Sequence, residues 1–288
     1  MLKRLLSTLV LWTVIIGSLV LFGAHGAVAL ITVLSALTLH EFYGMTVKMG
    51  ARPFRRMGVG FSVLITAAPY YLAYFSDESE FMTGLPAELI TGLPTALVIL
   101  ALLASCIRVL GERDASSRVE TIAATVLGVL FVPFMLHYLV AILMFAGSDS
   151  ENLMLCAWTI SVSKFCDVGA LLTGLAIGKH KMSPTISPKK TWEGAVGGVL
   201  VSAGVGAGFA FFASGHLPES LTPLAAALIA VPLALTTIVS DLIESVIKRR
   251  ADTKDTGALI PGIGGAFDLT DSLILTAPVA YFIFQFLE

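Results

Sequence analysis

The sequence predicts an all-α fold, a polytopic helical bundle that is integral to a membrane. Hydrophobic residues make up 56% of the 288 residues, charged residues make up 13%, and the mean hydropathy is +0.89. Soluble domains carry about 25% charged residues, so this composition excludes a soluble globular enzyme. The apolar runs are long enough to cross a bilayer and lack the alternation of a membrane β-barrel.

Nine unbroken apolar segments predict about nine transmembrane helices. They cover residues 5–22, 25–46, 58–75, 93–110, 119–145, 153–178, 194–213, 222–246 and 268–287. The first follows Lys3 and Arg4, and its apolar run is too long for a signal peptide. The fifth contains Pro133, which predicts a kink or a break in that helix.

The positive charges lie on one side of the predicted bundle. Every Lys and Arg residue except Lys164 precedes the first segment, or lies at the end of segment two, four, six or eight or in the loop that follows. The opposite loops carry Asp and Glu but no Lys or Arg. Because cytoplasmic loops are rich in Lys and Arg, this pattern predicts an N-in/C-out topology.

The overall charge and the cysteines exclude two further classes of protein. A formal net charge of −2 gives no field that would attract nucleic acid, so we expect no nucleic-acid partner. Cys106, Cys156 and Cys166 are odd in number and lie in apolar segments. This placement is typical of packed, reduced thiols and not of a disulfide framework.

Ionisable residues inside several of the segments need an explanation, because charge is costly in the bilayer. His40 and Glu41 lie near the end of the second segment, and we interpret them as side chains that reach the interface or pair locally. Lys164 and Asp167 lie three residues apart on one face of the sixth segment. They form either an internal ion pair or one wall of a polar site.

The eighth segment ends in a polar stripe. Asp241, Glu244, Ser245 and Lys248 follow the i, i+3, i+4, i+7 spacing that places residues on one helical face. We therefore interpret residues 1–150 as a scaffold of N-terminal transmembrane helices and residues 151–288 as the C-terminal helices that carry the site.

Carboxylates at the start of the ninth segment indicate a cation. Asp268 or Asp271 alone could cap the helix, but the pair together with Asp241 would repel at one membrane depth unless a cation joined them. Oxygen ligands without His or Cys favour Mg²⁺.

Two loops have the composition of phosphate-binding loops. Residues 179–193 bring together hydroxyls and exposed cations, and Pro188 within them disfavours a helical conformation at Ser187. Thr191 is a candidate start for the next helix. Residues 261–265 form a glycine-rich turn before Asp268, which would let the backbone approach an anion.

These blocks together resemble the phosphatidate cytidylyltransferase (CDP-diacylglycerol synthase) family. The matching positions are 167–170, 187–194, 240–242, 244–245, 248–249, 254–255, 257, 261–262, 264–265, 268 and 271–272. The resemblance implies a membrane enzyme that uses CTP and Mg²⁺. The phosphate of phosphatidate attacks the α-phosphorus of CTP, pyrophosphate leaves, and CDP-diacylglycerol forms.

The resemblance also implies roles for individual residues. Asp241, Lys248 and Asp268 would be catalytic, and Asp241, Asp268 and Asp271 would bind the metal. The matching substrate-binding positions are Asp167, Ser187, Lys189, Lys190, Thr191, Glu244, Ser245, Arg249, Lys254 and Asp255. The implied partners are CTP, phosphatidate and the lipid bilayer, and a homodimer is compatible with the family. The implied location is a bacterial inner membrane, with the active site on its cytoplasmic side.

Two positions depart from the family pattern. Ile263 replaces the usual His and Leu269 replaces the usual Arg, which predicts slow turnover or a variant lipid substrate.

Three other functions stay open. The alternatives are a CTP-dependent lipid kinase, a divergent CDP-lipid synthase and a transporter. Transporters often have repeated halves, whereas the polar residues here crowd into the C-terminal half, which favours an enzyme.

Overall fold

The computed structural model describes the backbone of residues 2–78, 86–111, 118–145, 147–253, 256–257 and 264–287, with the side chains of all of these except 2–12 and 77–78. The helices are α1 Leu2–Lys48, α2 Arg55–Glu78, α3 Ala87–Leu110, α4 Arg118–Phe131, α5 Pro133–Ile142, α6 Asp149–Ile177, α7 Trp192–Phe212, α8 Pro223–Arg250 and α9 Ala266–Gln285. The strands are β1 Lys181–Ser183 and β2 Ser187–Thr191. The prediction of an all-α, polytopic membrane bundle is confirmed.

Eight stretches of helix among the described residues are long and apolar enough to cross a membrane. The first is Thr13–Lys48, where the sequence predicts the end of one crossing and the whole of another. Helix α1 has a break at Gly23, where φ is 54° and ψ is −128°, a conformation that a β-carbon disfavours. This break lies between the first two predicted segments. The number of crossings and their orientation stay predictions.

The predicted break at Pro133 is confirmed. Helix α4 ends at Phe131, and α5 begins at Pro133, the position in a helix where a missing N–H is tolerated. The Val132 N–H donates to the Gly128 carbonyl at 3.0 Å, and the Leu136 N–H donates to the Val132 carbonyl at 2.9 Å. The two helices therefore continue each other across the break, and together they form one candidate span, Arg118–Ile142.

The chain divides into two compact units. The first contains residues 1–140 and 250–270, and the second contains residues 141–249 and 271–288. The sequence-based division at residue 150 concerns function and stays a prediction.

In the first unit, α1 is fastened to its neighbours by hydroxyl groups. Tyr43 donates to the Thr125 carbonyl at 2.8 Å, and the hydroxyls of Ser35 and Ser62 lie 3.0 Å apart. Such contacts satisfy polar groups that have no water partners within a bilayer. They hold the end of α1 that carries Glu41.

In the second unit, α6 and α7 pack closely through small residues. The buried small residues on α7 are Gly194, Gly197, Gly198, Ser202, Gly206 and Ala210. A β-carbon on Gly198 would lie 2.8 Å from the Cys166 carbonyl oxygen, so only glycine permits this approach. The Trp158 indole N–H donates to the Gly206 carbonyl at 3.0 Å and fastens the far end of the pair. The packing places Asp167 beside the start of α7.

The segment 179–193, which the sequence identifies only as a loop, contains a short antiparallel hairpin. Lys181 lies opposite Thr191 and Ser183 lies opposite Ser187, with an irregularity between them. The predicted helix start at Thr191 is confirmed, because its Oγ1 accepts a hydrogen bond from the Gly194 N–H at 3.1 Å. The hairpin thus projects Lys189 and Lys190 from a fixed strand.

Candidate active site

Three carboxylates meet in the second unit. Oxygens of Asp241, Glu244 and Asp271 lie within 4.8 Å of one another. Asp241 and Glu244 are one turn apart on α8, and Asp271 lies on α9. Glu244 is 3% exposed, and the Asp271 side chain is 13% exposed. Charges at this depth require compensation.

A different lysine compensates each carboxylate. Lys190 Nζ on β2 lies 2.6 Å from Asp241 Oδ2, and Lys248 Nζ on α8 lies 2.7 Å from Glu244 Oε1. Lys164 Nζ on α6 lies 3.6 Å from Asp271 Oδ1. The cluster therefore holds three negative and three positive charges, supplied by four separate elements of the second unit.

Lys164 and Asp167 form part of the wall of this polar site. The Lys164 ammonium also donates to Ser272 Oγ at 2.6 Å, so it contacts two residues of α9. Asp167 lines a cleft beside the carboxylate cluster. Of the two interpretations left open by the sequence, these contacts favour the wall of a polar site.

The cleft has a volume of about 580 Å³, which falls within the range of small-molecule sites. Helices α6, α7 and α8 and the hairpin form its walls. Five of its lining residues are predicted site residues, namely Asp167, Lys189, Lys190, Thr191 and Asp241. One surface of the second unit therefore combines cations, a hydroxyl and carboxylates.

Other predicted substrate-binding residues lie outside that lining. Ser187 begins β2 and is half-buried opposite Ser183. Ser245 is half-buried on α8. The Arg249 Nε–H donates to the Ile186 carbonyl at 3.2 Å, so this guanidinium tethers the hairpin turn to the end of α8. Lys254 and Asp255 lie outside the described residues.

Asp268 belongs to the first unit, where it closes a turn before α9. Its Oδ2 accepts a hydrogen bond from the Gly265 N–H at 2.8 Å and lies 3.1 Å from the Thr256 hydroxyl. It precedes Asp271 by one helical turn on α9. The role of Asp268 as a metal ligand stays a prediction. Leu269 is half-buried on α9, and Ile263 lies outside the described residues.

Two acidic residues have contacts that the sequence did not predict. Glu244, a predicted substrate-binding residue, lies beside Asp241 and Asp271, and its role stays a prediction. The i+3 spacing from Asp241 was the available signal. The interpretation that Glu41 pairs locally is wrong, because Glu41 Oε2 accepts from the Thr256 hydroxyl and from the Phe267 N–H, both far away in sequence. Its place at the membrane interface stays a prediction.

The carboxylate cluster fits a hard divalent cation. All three groups offer oxygen, the ligand that Mg²⁺ prefers. Octahedral Mg²⁺ binds oxygen at about 2.1 Å, so neighbouring ligand oxygens around it lie about 3.0 Å apart. The three carboxylate oxygens, which lie within 4.8 Å of one another, would therefore move closer together around a bound ion, by rotation of their side chains.

Comparison with known proteins points to one family. A sequence model of the cytidylyltransferase family matches residues 2–287. The phosphatidate cytidylyltransferase of Rickettsia bellii is 34% identical over 166 residues, which cover 57% of this chain and 70% of the relative. That of Thermotoga maritima is 28% identical over 263 residues, or 90% of this chain and 89% of the relative.

A mycobacterial relative is longer than the region it shares with this chain. The phosphatidate cytidylyltransferase of Mycobacterium bovis is 33% identical over 177 residues, which cover 62% of this chain and 55% of the relative. The chain thus matches about half the length of that protein.

Proposed function

The chain belongs to the cytidylyltransferase family, and on that premise we propose that it transfers the cytidylyl group of CTP to phosphatidate. The products are CDP-diacylglycerol and pyrophosphate, so the protein acts in phospholipid biosynthesis. The observation that carries the proposal is the cleft in the second unit, where Lys189, Lys190 and Thr191 lie beside Asp241. A nucleoside triphosphate with a divalent cation needs this combination of phosphate-binding cations and metal-binding carboxylates.

Asp241, Glu244 and Asp271 would hold the cation, which is Mg²⁺ in this proposal. When bound, Mg²⁺ neutralises phosphate charge and increases the electrophilicity of the phosphorus that is attacked. The prediction that Asp268 also binds the metal rests on the sequence and on its place one turn before Asp271 on α9.

The lysines would change partners when the nucleotide binds. Lys190 compensates Asp241 in the structure described here, and a phosphate oxygen in the cleft offers its ammonium a second anionic partner. Lys189 lies beside it on the same strand. Negative charge develops on the pyrophosphate as the bond to the α-phosphorus breaks, and these two ammonium groups would stabilise it.

Lys248 would bind the phosphate group of the lipid substrate. Its ammonium lies 2.7 Å from Glu244 and is 18% exposed, so it is held in one place with little water around it. A cation fixed in this way can neutralise the phosphate that attacks. The lipid would arrive from the bilayer along the apolar helices, at the cytoplasmic side of a bacterial inner membrane.

Labelled CTP tests the proposal. Purified protein in mixed micelles with phosphatidate and Mg²⁺ should move label from the α-phosphorus of CTP into a CDP-lipid and release unlabelled pyrophosphate. Label at the γ-phosphorus should stay out of the lipid, whereas a lipid kinase would transfer it. The Asp241→Asn variant is the inactive control.

Three results would overturn the assignment. Lipid labelled from the γ-position would indicate the kinase. Label transfer to another phospholipid acceptor but not to phosphatidate would indicate a divergent CDP-lipid synthase, the alternative that Leu269 and Ile263 favour. A substrate flux into proteoliposomes without nucleotide transfer would indicate a transporter.

A further inference from the structure

We propose that Glu41 is a positioning residue, which orients Asp268 by holding both the Thr256 hydroxyl and the first turn of α9. The inference rests on the proposed function in one respect, because it takes Asp268 to be a metal ligand. All of the residues involved belong to the first unit.

The Glu41 carboxylate contacts two groups that lie next to Asp268. Its Oε2 accepts hydrogen bonds from the Phe267 N–H and from the Thr256 hydroxyl, both at 3.0 Å. Phe267 immediately precedes Asp268, and Thr256 contacts the Asp268 carboxylate directly. A single side chain of α1 therefore fixes the backbone before Asp268 and the hydroxyl group beside its carboxylate.

Glycines allow the chain to close tightly around this carboxylate. A β-carbon on Gly265 would lie 2.3 Å from Glu41 Oε2, and one on Gly257 would lie 2.3 Å from Glu41 Oε1. Gly264 has φ +130°, and a β-carbon there would lie 2.7 Å from Asp268 Oδ2. A side chain that merely reached for the interface would not need such close backbone approach, so Glu41 is enclosed by the turn that carries Asp268.

Neighbouring contacts hold α1 in register with α9. The hydroxyls of Thr38 and Thr270 lie 2.9 Å apart, one turn from Glu41 and Phe267 respectively. The rings of Phe42 and Phe267 pack with their centroids 6.1 Å apart. The register of the two helices therefore rests on several contacts, and among these the Glu41 carboxylate is the group that reaches the Asp268 turn.

The Thr256 hydroxyl also links the Glu41 carboxylate to the Asp268 carboxylate electrostatically. It lies 3.0 Å from Glu41 Oε2 and 3.1 Å from Asp268 Oδ2, yet it has one proton and can donate to one carboxylate at a time. While it donates to Glu41, its proton does not compete with a cation at Asp268. Mutation of a residue that hydrogen-bonds to a metal ligand and orients it typically lowers metal affinity or activity by about 10- to 100-fold.

The test compares Glu41→Gln with a matched control, Thr38→Val. The glutamine keeps the size of the side chain but loses its charge and places an amide group among the donors. The valine removes one α1–α9 hydrogen bond and leaves the Asp268 turn intact. We would measure Mn²⁺ binding to each protein by electron paramagnetic resonance without substrate, the Mg²⁺ concentration for half-maximal activity, and the KM for phosphatidate.

We expect Glu41→Gln to weaken Mn²⁺ binding and to raise the required Mg²⁺ concentration by about tenfold or more, with little change in the KM for phosphatidate. Thr38→Val should match the wild type in Mn²⁺ binding. Normal Mn²⁺ affinity in Glu41→Gln would overturn the inference, even if its melting temperature fell. Unchanged Mn²⁺ binding in Asp268→Asn would also overturn it, because there would be no ligand to position.

The Mn²⁺ measurement separates this inference from the proposed function. A wild-type protein that makes no CDP-lipid, together with weaker Mn²⁺ binding in Glu41→Gln, would refute the proposed activity and support the role of Glu41. CDP-lipid synthesis by the wild type, with equal Mn²⁺ affinity in both proteins, would support the activity and refute the role of Glu41.

Discussion

Lys190 on strand β2 contacts Asp241 on helix α8, with 2.6 Å between Nζ and Oδ2. The two side chains are 22% and 30% exposed, so water screens the pair only in part. This ion pair and the bond from Arg249 to the Ile186 carbonyl fasten the hairpin to the end of α8. The hairpin therefore brings a cation to the place where the proposed metal would bind.

Replacing Lys190 with glutamine should weaken the binding of CTP and strengthen the binding of Mn²⁺. The KM for CTP should rise about tenfold or more, because a charged hydrogen bond is worth about 1.5–3 kcal/mol. Mn²⁺ binding without nucleotide should become tighter, because Asp241 loses a competing cation. Steady-state kinetics and Mn²⁺ titration check both effects.

Lys179→Gln is the matched control, since this lysine does not line the cleft beside Asp241 among the described residues. Its KM for CTP should equal that of the wild type. Weaker Mn²⁺ binding in Lys190→Gln would contradict the exchange of partners.

Asp241→Asn and Asp271→Asn should each lower kcat by about a hundredfold or more, the usual scale for losing one electrostatic contact of the transition state. Both changes keep the size of the side chain and remove a metal-binding charge. The activity should recover in part at high Mg²⁺ concentration. Activity close to that of the wild type at limiting Mg²⁺ would remove the residue from the metal site.

Glu244→Gln should destabilise the protein more than either aspartate change. Glu244 is 3% exposed and its Oε1 lies 2.7 Å from Lys248 Nζ, so the variant removes a close counter-charge from a poorly hydrated ammonium. Breaking a buried ion pair on one side costs about 3–5 kcal/mol, whereas removing both charges is often neutral. The double variant Glu244→Gln, Lys248→Met should therefore regain thermal stability in detergent. A double variant less stable than Glu244→Gln would show that Lys248 has another stabilising partner.

Gly198→Ala should destabilise the second unit, whereas Gly204→Ala should not. The new methyl group at 198 would lie 2.8 Å from the Cys166 carbonyl oxygen and 3.1 Å from Ala170 Cβ. Overpacking of this kind costs about 1–3 kcal/mol. Gly204 has open space around it, and alanine favours the helix there. Thermal unfolding of both variants in one detergent checks the difference, and equal melting temperatures would contradict close packing of α6 and α7.

Cysteines at positions 185 and 219 should report opposite sides of the membrane. Thr185 is exposed in the hairpin turn, and Glu219 is exposed in the loop before α8. The distribution of Lys and Arg predicts that the first is cytoplasmic and the second is outside. In a background without Cys106, Cys156 and Cys166, an impermeant thiol reagent on intact cells should label position 219 alone. Labelling at 185 but not at 219 would reverse the topology.

The sequence by itself determined the class of fold and the types of residue in the site. Unbroken apolar runs specify membrane helices because the bilayer leaves backbone groups no other partners. Pro133 and Thr191 act on their own backbone, so the break and the helix start were predictable. The helical period was also enough to place Asp241 and Glu244 on one face of α8.

Only the tertiary structure decided which polar side chains meet. Lys190 with Asp241 and Glu41 with Thr256 are pairs separated by long stretches of sequence, and their contact depends on how helices are rotated and packed. Periodicity specifies the face of a helix but not the neighbour that covers it. The hairpin was also missed, because strands as short as Lys181–Ser183 carry little pattern of their own and are held by tethers such as Lys190–Asp241. A lysine beyond the end of an apolar segment looks the same in sequence whether it faces water or contacts a carboxylate, and only the packing distinguishes the two.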